Sequence, residues 1–236
     1  VYYRKWLTNQ IQESSLHVLH GLYATVFAPF WYRVLGARIG KGAEISTAMG
    51  VVPDMLTLGD DTFIADAVML GDEEIDSGWM TLRPTEIGAR SFVGNGAYLP
   101  DGTELPADVL IGVQSRAPAN GQMRAGDTWM GSPALHLPAR EITSGFAEHL
   151  TFRPSVARRI GRGTVEAVRI VLPLALIIAS GYLTVIKVLP AAETEHWALA
   201  AWRLCLAGLC YGAGSFAVVL AAKWLLIGRY TPRAAP

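Results

Sequence analysis

Aliphatic side chains recur every six positions between residues 37 and 116. They fall into three runs, and within each run the spacing of six is unbroken: Ile39, Ile45 and Val51, then Leu58, Ile64 and Leu70, then Ile87, Val93, Leu99, Leu105 and Ile111. This period fits neither an α-helix, with about 3.6 residues per turn, nor a half-buried strand, which alternates. It fits a chain that coils through three short strands per turn, each pointing one aliphatic side chain at a common axis.

Glycine directly follows the aliphatic residue in six of these hexads. We expect it to permit the positive φ or tight corner that turns the chain from one face to the next. One coil cannot bury its inner face alone, so the eleven hexads predict three to four stacked coils. The glycines are Gly40, Gly59, Gly71, Gly88, Gly94 and Gly112.

The six-residue register breaks twice. Val51 to Leu58 is one residue too long, which predicts a bulge, and Leu70 to Ile87 is eleven residues too long. Residues 71–84 must therefore leave the coil. Long excursions from a regular scaffold usually carry function.

Two uncharged apolar runs follow the coil, at residues 170–186 and 204–222. At about 1.5 Å per residue each approaches the thickness of the hydrocarbon layer, so they predict two transmembrane helices. Lys and Arg flank the pair, whereas residues 188–202 contain two Glu and no Lys or Arg. The positive-inside rule therefore predicts a multi-pass cell-membrane protein, with both ends of the pair and the coil on the cytoplasmic side.

Charge and cysteine content exclude some classes of function. Lys plus Arg and Asp plus Glu are both 20, so net charge does not indicate a nucleic-acid partner. The only cysteines, Cys205 and Cys210, lie in the second apolar run, where no metal-ligand spacing surrounds them. We predict no metal site.

Several short sequence segments resemble those of a known family. The hexads resemble left-handed β-helix acyltransferases, and residues 126–134 resemble the Gly-x-Pro-Ala ending of such domains. A closer resemblance, to the carboxy-terminal membrane region of ε-poly-lysine synthetase-type nonribosomal peptide synthetases, is carried by residues 33–40, 92–95, 110–113, 129–133 and 223–229. That family is implied to have adenylation and carrier domains, followed by tandem acyltransferase-like β-helices interleaved with membrane helices.

The resemblance implies a mainly β fold: a left-handed parallel β-helix followed by two transmembrane α-helices. We divide the chain into an amphipathic helical cap (1–36), which packs on the β-helix or lies in the membrane interface, the β-helix (37–140), a basic juxtamembrane linker (141–168) and the helix pair (169–230). The implied function is joining carrier-bound aminoacyl thioesters by amide bonds. The implied partners are the carrier domain, sister β-helices and the membrane, with no cofactor in this chain beyond the carrier's phosphopantetheine.

The candidate chemistry lies in the excursion. No histidine occurs from Gly21 to Leu135, so the base that many β-helix acyltransferases use is missing. We therefore predict Glu73 or Glu74 as the catalytic carboxylate. The substrate-binding candidates are Asp72, Asp76, Trp79 and Asn95.

Each of these residues has a plainer interpretation: a solvated acidic loop, a buried tryptophan anchor, or an asparagine that bonds within a corner. Two other functions stay open, a non-catalytic scaffold within the same synthetase and a membrane-bound coenzyme A-dependent acetyltransferase.

Overall fold

The computed structural model describes residues 2–18, 21–138, 147–149, 151–194 and 197–229. The chain divides into two compact units, residues 1–170 and 171–236. The first unit contains the helical cap, the described β-strands and the beginning of the third helix. The second contains the rest of that helix and the fourth.

The six-residue period folds into three parallel sheets that the chain visits in turn. The first sheet holds β1 (Arg38–Ile39), β4 (Leu56–Leu58), β9 (Thr85–Ile87) and β12 (Glu104–Leu105); the second holds β2 (Glu44–Ile45), β5 (Phe63–Ile64), β10 (Phe92–Val93), β13 (Leu110–Ile111) and β14 (Thr128–Met130); the third holds β3 (Ala48–Met49), β6 (Val68–Asp72) and β11 (Tyr98–Pro100). Strands of successive turns pair in parallel, Ile45 with Ile64 and Ile64 with Val93. This is the topology of a parallel coil.

The predicted axial side chains form the core. Ten of the eleven aliphatic residues are buried, and the eleventh, Ile39, is partly buried against the same cluster. Ile39 belongs to the first coil, which has helix rather than another coil on one side. The period of six therefore identified the interior of the coil correctly.

The glycines act differently from the prediction. Of the six that follow an aliphatic residue, only Gly71 has a positive φ, of 77°. The left-handed residue is instead the third one after the aliphatic, as at Gly42, Asp61 and Arg90. At four of the six positions, close stacking requires glycine, because an added Cβ would lie less than 3.0 Å from backbone atoms of the next coil. On Gly88 it would lie 2.5 Å from the backbone nitrogen of Ala107.

Both register breaks lie at the corner between the third and first sheets. The shorter one is a single 3₁₀ turn, Pro53–Met55. The longer one is a β-hairpin of β7 (Glu74–Asp76) and β8 (Trp79–Thr81). Its turn residues Ser77 and Gly78 both have positive φ, of 48° and 81°, as a tight two-residue hairpin requires.

Two helices precede the coil: α1 (Tyr2–Val18) and α2 (Ala28–Val34). Ala28, Pro29 and Tyr32 of α2 are buried, and Tyr32 belongs to the core cluster of the coil. Burial raises the pKa of the Tyr32 hydroxyl well above its ordinary value. Since α2 contacts β1 and β2, it covers the open end of the first coil.

Two long helices follow the coil in the described part of the chain, α3 (Val156–Thr194) and α4 (Trp197–Ala222), and each is long and apolar enough to cross a membrane. Helix α3 begins within the predicted linker, of which residues 141–146 and 150 lie outside the described part. Its first turns are fixed to the coil, because Arg162 donates to both carboxylate oxygens of Glu44, at 2.6 and 3.0 Å.

Candidate functional site

In successive coils, the corners between the third and first sheets form a column along one edge of the coil. The predicted acidic residues lie at this column. Gly50, Glu73 and Asp101 follow strands β3, β6 and β11 of the third sheet, at the corner where the chain turns toward the first sheet. The hairpin leaves the coil at the middle of this column. Basic side chains from outside the third sheet reach into it.

Glu73 forms an ion pair with a buried lysine. Lys5 of α1 lies 3.1 Å from Oε2 of Glu73, and the two side chains are 2% and 16% exposed. The Lys5 ammonium also donates to the backbone oxygen of Gly50, at 2.7 Å. A carboxylate that neutralises a buried ammonium cannot take a proton without leaving that charge uncompensated, so this contact favours a structural role for Glu73.

Glu74 is paired in a more exposed setting. Arg83 donates to its Oε2 at 2.8 Å, and both side chains are about half exposed. The same guanidinium lies 3.5 Å from Oδ1 of Asp101, whose side chain is almost fully buried. Arg83 therefore links the hairpin to the next coil.

Asp76 and Trp79 lie opposite each other across the hairpin. Asp76 accepts a hydrogen bond from the Ser77 hydroxyl at 3.2 Å, and no ion pair to it occurs among the described residues. Trp79 is 79% exposed, so it is not a buried anchor. Of the predicted residues these two remain open to an external ammonium group; the side chain of Asp72 lies outside the described part.

Asn95 lies apart from the hairpin. It follows β10, at the corner between the second and third sheets, whereas the hairpin leaves from the corner between the third and first sheets. Its Oδ1 accepts a hydrogen bond from the backbone N–H of Asp66 in the preceding coil, at 3.2 Å. The geometry is that of a corner-to-corner bond within the coil.

A histidine–aspartate pair lies at the last strands of the coil. It was not predicted from the sequence. The final strand β15 (Leu135–Leu137) turns back antiparallel to β14 and sets His136 opposite Trp129. Nε2 of His136 lies 3.3 Å from Oδ1 of Asp127, and the His136 ring centroid is 5.0 Å from that of Trp129. His136 is one residue beyond the histidine-free stretch, and the alternating Leu-His-Leu after the Gly-Ser-Pro turn could have indicated the strand.

The Asp127 carboxylate is held in its ionised form. The backbone N–H of Arg124 donates to Oδ2 at 2.8 Å, and this bond does most to lower the pKa of Asp127 below its usual value. Desolvation opposes this effect and raises the pKa, whereas the nearby His136 and Trp129 lower the pKa further. Asp127 therefore presents a negative charge to the imidazole and orients it.

No group of three or more His, Cys, Asp or Glu that could bind a metal ion occurs in the described part of the chain. His17 and His20 do not enter this statement, because the His17 side chain and all of His20 lie outside that part.

The fold defines a class: a hexapeptide-period parallel coil joined to two apolar helices. Over its whole length the chain is 59% identical, across 235 residues, to Delta-poly-L-ornithine synthetase of Acinetobacter baumannii (strain AB307-0294). The predicted resemblance to poly-amino-acid synthetases is thereby confirmed. The chain spans 18% of that relative's length.

No protein-family model matches the chain. Solved structures with some similarity include soybean serine acetyltransferase (22% identity, TM-score 0.34, covering 43% of this chain and 40% of that one). Another is a maltose O-acetyltransferase from Clostridium difficile 630 (13% identity, TM-score 0.36, covering 55% and 84%). These scores are too low to carry an argument about function.

Proposed function

We propose that this chain is a membrane-anchored, acyltransferase-like domain of a poly-amino-acid synthetase that joins carrier-bound aminoacyl thioesters through amide bonds. The observation that carries the proposal is the similarity along the whole chain to Delta-poly-L-ornithine synthetase. On this proposal the coil is a left-handed β-helix on the cytoplasmic side of the cell membrane. Its partners are a carrier domain and sister β-helices, and the only cofactor is the carrier's phosphopantetheine.

The reaction requires an amine, a thioester and a proton acceptor. The amine nitrogen attacks the thioester carbonyl, the C–S bond breaks, the carrier thiol leaves, and one amine proton passes to a base and then to the thiolate. Ornithine has a second amine on its side chain. A free side-chain amine of this kind resembles that of lysine, with a reference pKa of about 10.4, so at neutral pH nearly all of it is protonated and needs a base.

His136 offers a base, whereas the predicted carboxylates of residues 71–84 do not. Its imidazole is partly exposed, with 43% of the side chain accessible, and it bonds to a carboxylate kept ionised by Arg124. Glu73 and Glu74, the carboxylates predicted from the sequence, are instead engaged with Lys5 and Arg83. We therefore assign proton acceptance to His136 and orientation of the imidazole to Asp127.

The hairpin suits recognition of a cationic substrate. Asp76 offers a negative charge and Trp79 an exposed aromatic face across the same pair of strands, and an ammonium group binds to both. A polymer of basic residues carries many ammonium groups, so the one that binds at the hairpin need not be the one that reacts. This assigns Asp76 and Trp79 to binding rather than to chemistry.

Replacement of Asp76 by Asn together with Trp79 by Leu should weaken binding of the cationic chain. The lost charge and aromatic contacts amount to about 1–2 kcal/mol at an exposed site, about five- to thirty-fold in the apparent KM. The assay is polymer formation by the synthetase that contains this chain, with loading of the carrier measured separately. Glu86→Gln is the matched control, because Glu86 is an exposed carboxylate on β9 with no described ion pair. An unchanged KM in the double variant would contradict the binding role.

Replacement of His136 by Ala should slow polymer formation about a hundredfold while carrier loading stays normal. Added imidazole should restore part of the rate, because the space that the ring leaves is open to solvent. A purely structural histidine would not be rescued in this way. Asp127→Asn should lower kcat with little change in the KM for the carrier.

The scaffold alternative predicts a different pattern. If the His136 and the Asp76/Trp79 variants both form polymer at the normal rate, both assigned roles are rejected and the scaffold function is favoured. A rate lowered only in the Asp76/Trp79 variant would retain the proposed function and reject His136 as the base.

A further inference from the structure

Helix α2 has an apolar outer face as well as a buried inner one. Ala28, Pro29 and Tyr32 pack on the first coil. Phe30 and Val34, which are spaced by four, are 66% and 62% exposed, and Val26 in the turn before the helix is 36% exposed. Residues spaced by four lie on one face of a helix. The outer face of a helix that caps a water-soluble domain is normally polar, so packing within this unit does not account for the apolar stripe.

Helix α1 likewise exposes apolar and aromatic side chains and buries a charged one. Its charged Lys5 is 4% exposed and points to the coil, whereas Tyr2, Tyr3, Trp6 and Ile11 are between 47% and 68% exposed. An amphipathic helix on a soluble domain would bury the aromatic side chains and expose the lysine. Both helices therefore present apolar and aromatic groups away from the coil.

The segment between these helices contacts α3 where α3 changes from charged to apolar. The backbone N–H of Val26 donates to Glu166 at 2.6 Å, and Arg169 donates to the Tyr23 carbonyl at 3.5 Å. A Cβ on Gly21 would lie 3.4 Å from the Cα of Ile170, the first residue of the apolar run 170–186. A spanning helix crosses from headgroups into hydrocarbon at such a transition. These contacts hold residues 21–26 at that level.

We infer that Phe30 and Val34 of α2, Val26 in the turn before it and the aromatic face of α1 form one membrane-contact surface, which inserts into the interfacial layer of the bilayer. The inference rests on the proposed membrane insertion of α3 and α4. Its occupant is lipid: Tyr and Trp favour the headgroup boundary, and the exposed Arg158 and Arg159 of α3 supply charge for anionic headgroups. The capped end of the coil is then held at the membrane surface.

The test uses an environment-sensitive fluorophore on single cysteines of the whole chain in lipid nanodiscs, with Cys205 and Cys210 replaced by Ser. Phe30→Cys carries the probe at the inferred surface. Val113→Cys is the matched control, because Val113 is 60% exposed at a corner of the coil away from the cap. Leu176→Cys reports on the apolar run of α3.

We expect the probe at position 30 to emit at shorter wavelength than the probe at 113, and to be quenched by lipids that carry a spin label near the headgroup. The probe at 176 should be quenched by lipids labelled deep in the acyl chain. If the probe at 30 behaves like that at 113 while 176 is quenched deeply, the surface does not contact lipid and the inference is overturned, but the membrane insertion stands. If 176 is not quenched, membrane insertion fails, and the inference fails with it.

Discussion

Substitution of Gly88 by Ala is expected to destabilise the coil by about 3 kcal/mol or more, or to prevent folding. The new Cβ would lie 2.5 Å from the Ala107 nitrogen and 2.5 Å from the Pro106 carbonyl carbon. These are backbone atoms, and they cannot move alone because Gly88 and Asp108 donate hydrogen bonds between the same two coils, both at 2.8 Å. Relief of the clash requires these coils to separate, with loss of that ladder.

The matched control is Gly112→Ala. Gly112 also directly follows an axial aliphatic residue, Ile111, and its φ is likewise not positive. The nearest atoms to its added Cβ are side-chain atoms, Oγ of Ser115 at 3.1 Å and Cγ of Met130 at 3.2 Å, which can shift. Denaturant unfolding in mild detergent, followed by the β-sheet circular dichroism signal, should show a much smaller loss for Gly112→Ala. Equal stability of the two variants would contradict close stacking as the reason for glycine.

Glu73→Gln is expected to cost about 2–4 kcal/mol of folding free energy, somewhat less than a fully buried pair because Glu73 keeps 16% exposure. The change leaves the Lys5 ammonium buried with its hydrogen bond to the Gly50 carbonyl but without its countercharge. Lys5→Met should be destabilising for the converse reason. The double variant should cost less than the sum of the two, since neither charge is then left uncompensated.

Glu74→Gln is the control for this cycle. Its partner Arg83 and Glu74 itself are both about half exposed, and such pairs contribute about 1 kcal/mol or less. Additive effects of Lys5→Met and Glu73→Gln in the same unfolding measurement would count against a coupled pair. Polymer formation by the Glu73→Gln variant must be compared with the folding stability of that variant. This substitution removes the ion pair that holds α1, so a loss of activity can follow from a loss of stability.

The sequence identified the interior of the coil residue by residue. Val93 and Ile111 could be assigned to the core without coordinates because every coil repeats the same local requirement, one aliphatic group at the axis in each hexad. The excursion was visible for the same reason, as the point where that repeat is interrupted. Its hairpin form was not predicted, since the Ser77–Gly78 turn is a local feature that the six-residue pattern does not contain.

The candidate site could be predicted from the sequence only in part. Asp72, Glu73, Glu74 and Asp76 appear equivalent in the sequence, but Lys5 pairs with one, Arg83 with another, and Asp76 keeps no described ion pair. The histidine was missed because the expected base lay on the wall of the coil, whereas His136 reaches Asp127 only after β15 folds back.

By itself, the sequence determined the three-strand coil, its axial residues, the two apolar runs and the resemblance to poly-amino-acid synthetases, because each depends on a spacing, a run length or a short motif within the chain. The tertiary structure decided which carboxylates are neutralised, which histidine meets a carboxylate, why glycine follows the axial residue, and which face of α2 is left apolar and exposed. These depend on contacts between residues far apart in the chain, and the energy of a buried charge or a crowded Cβ is set by the neighbour that folding brings to it.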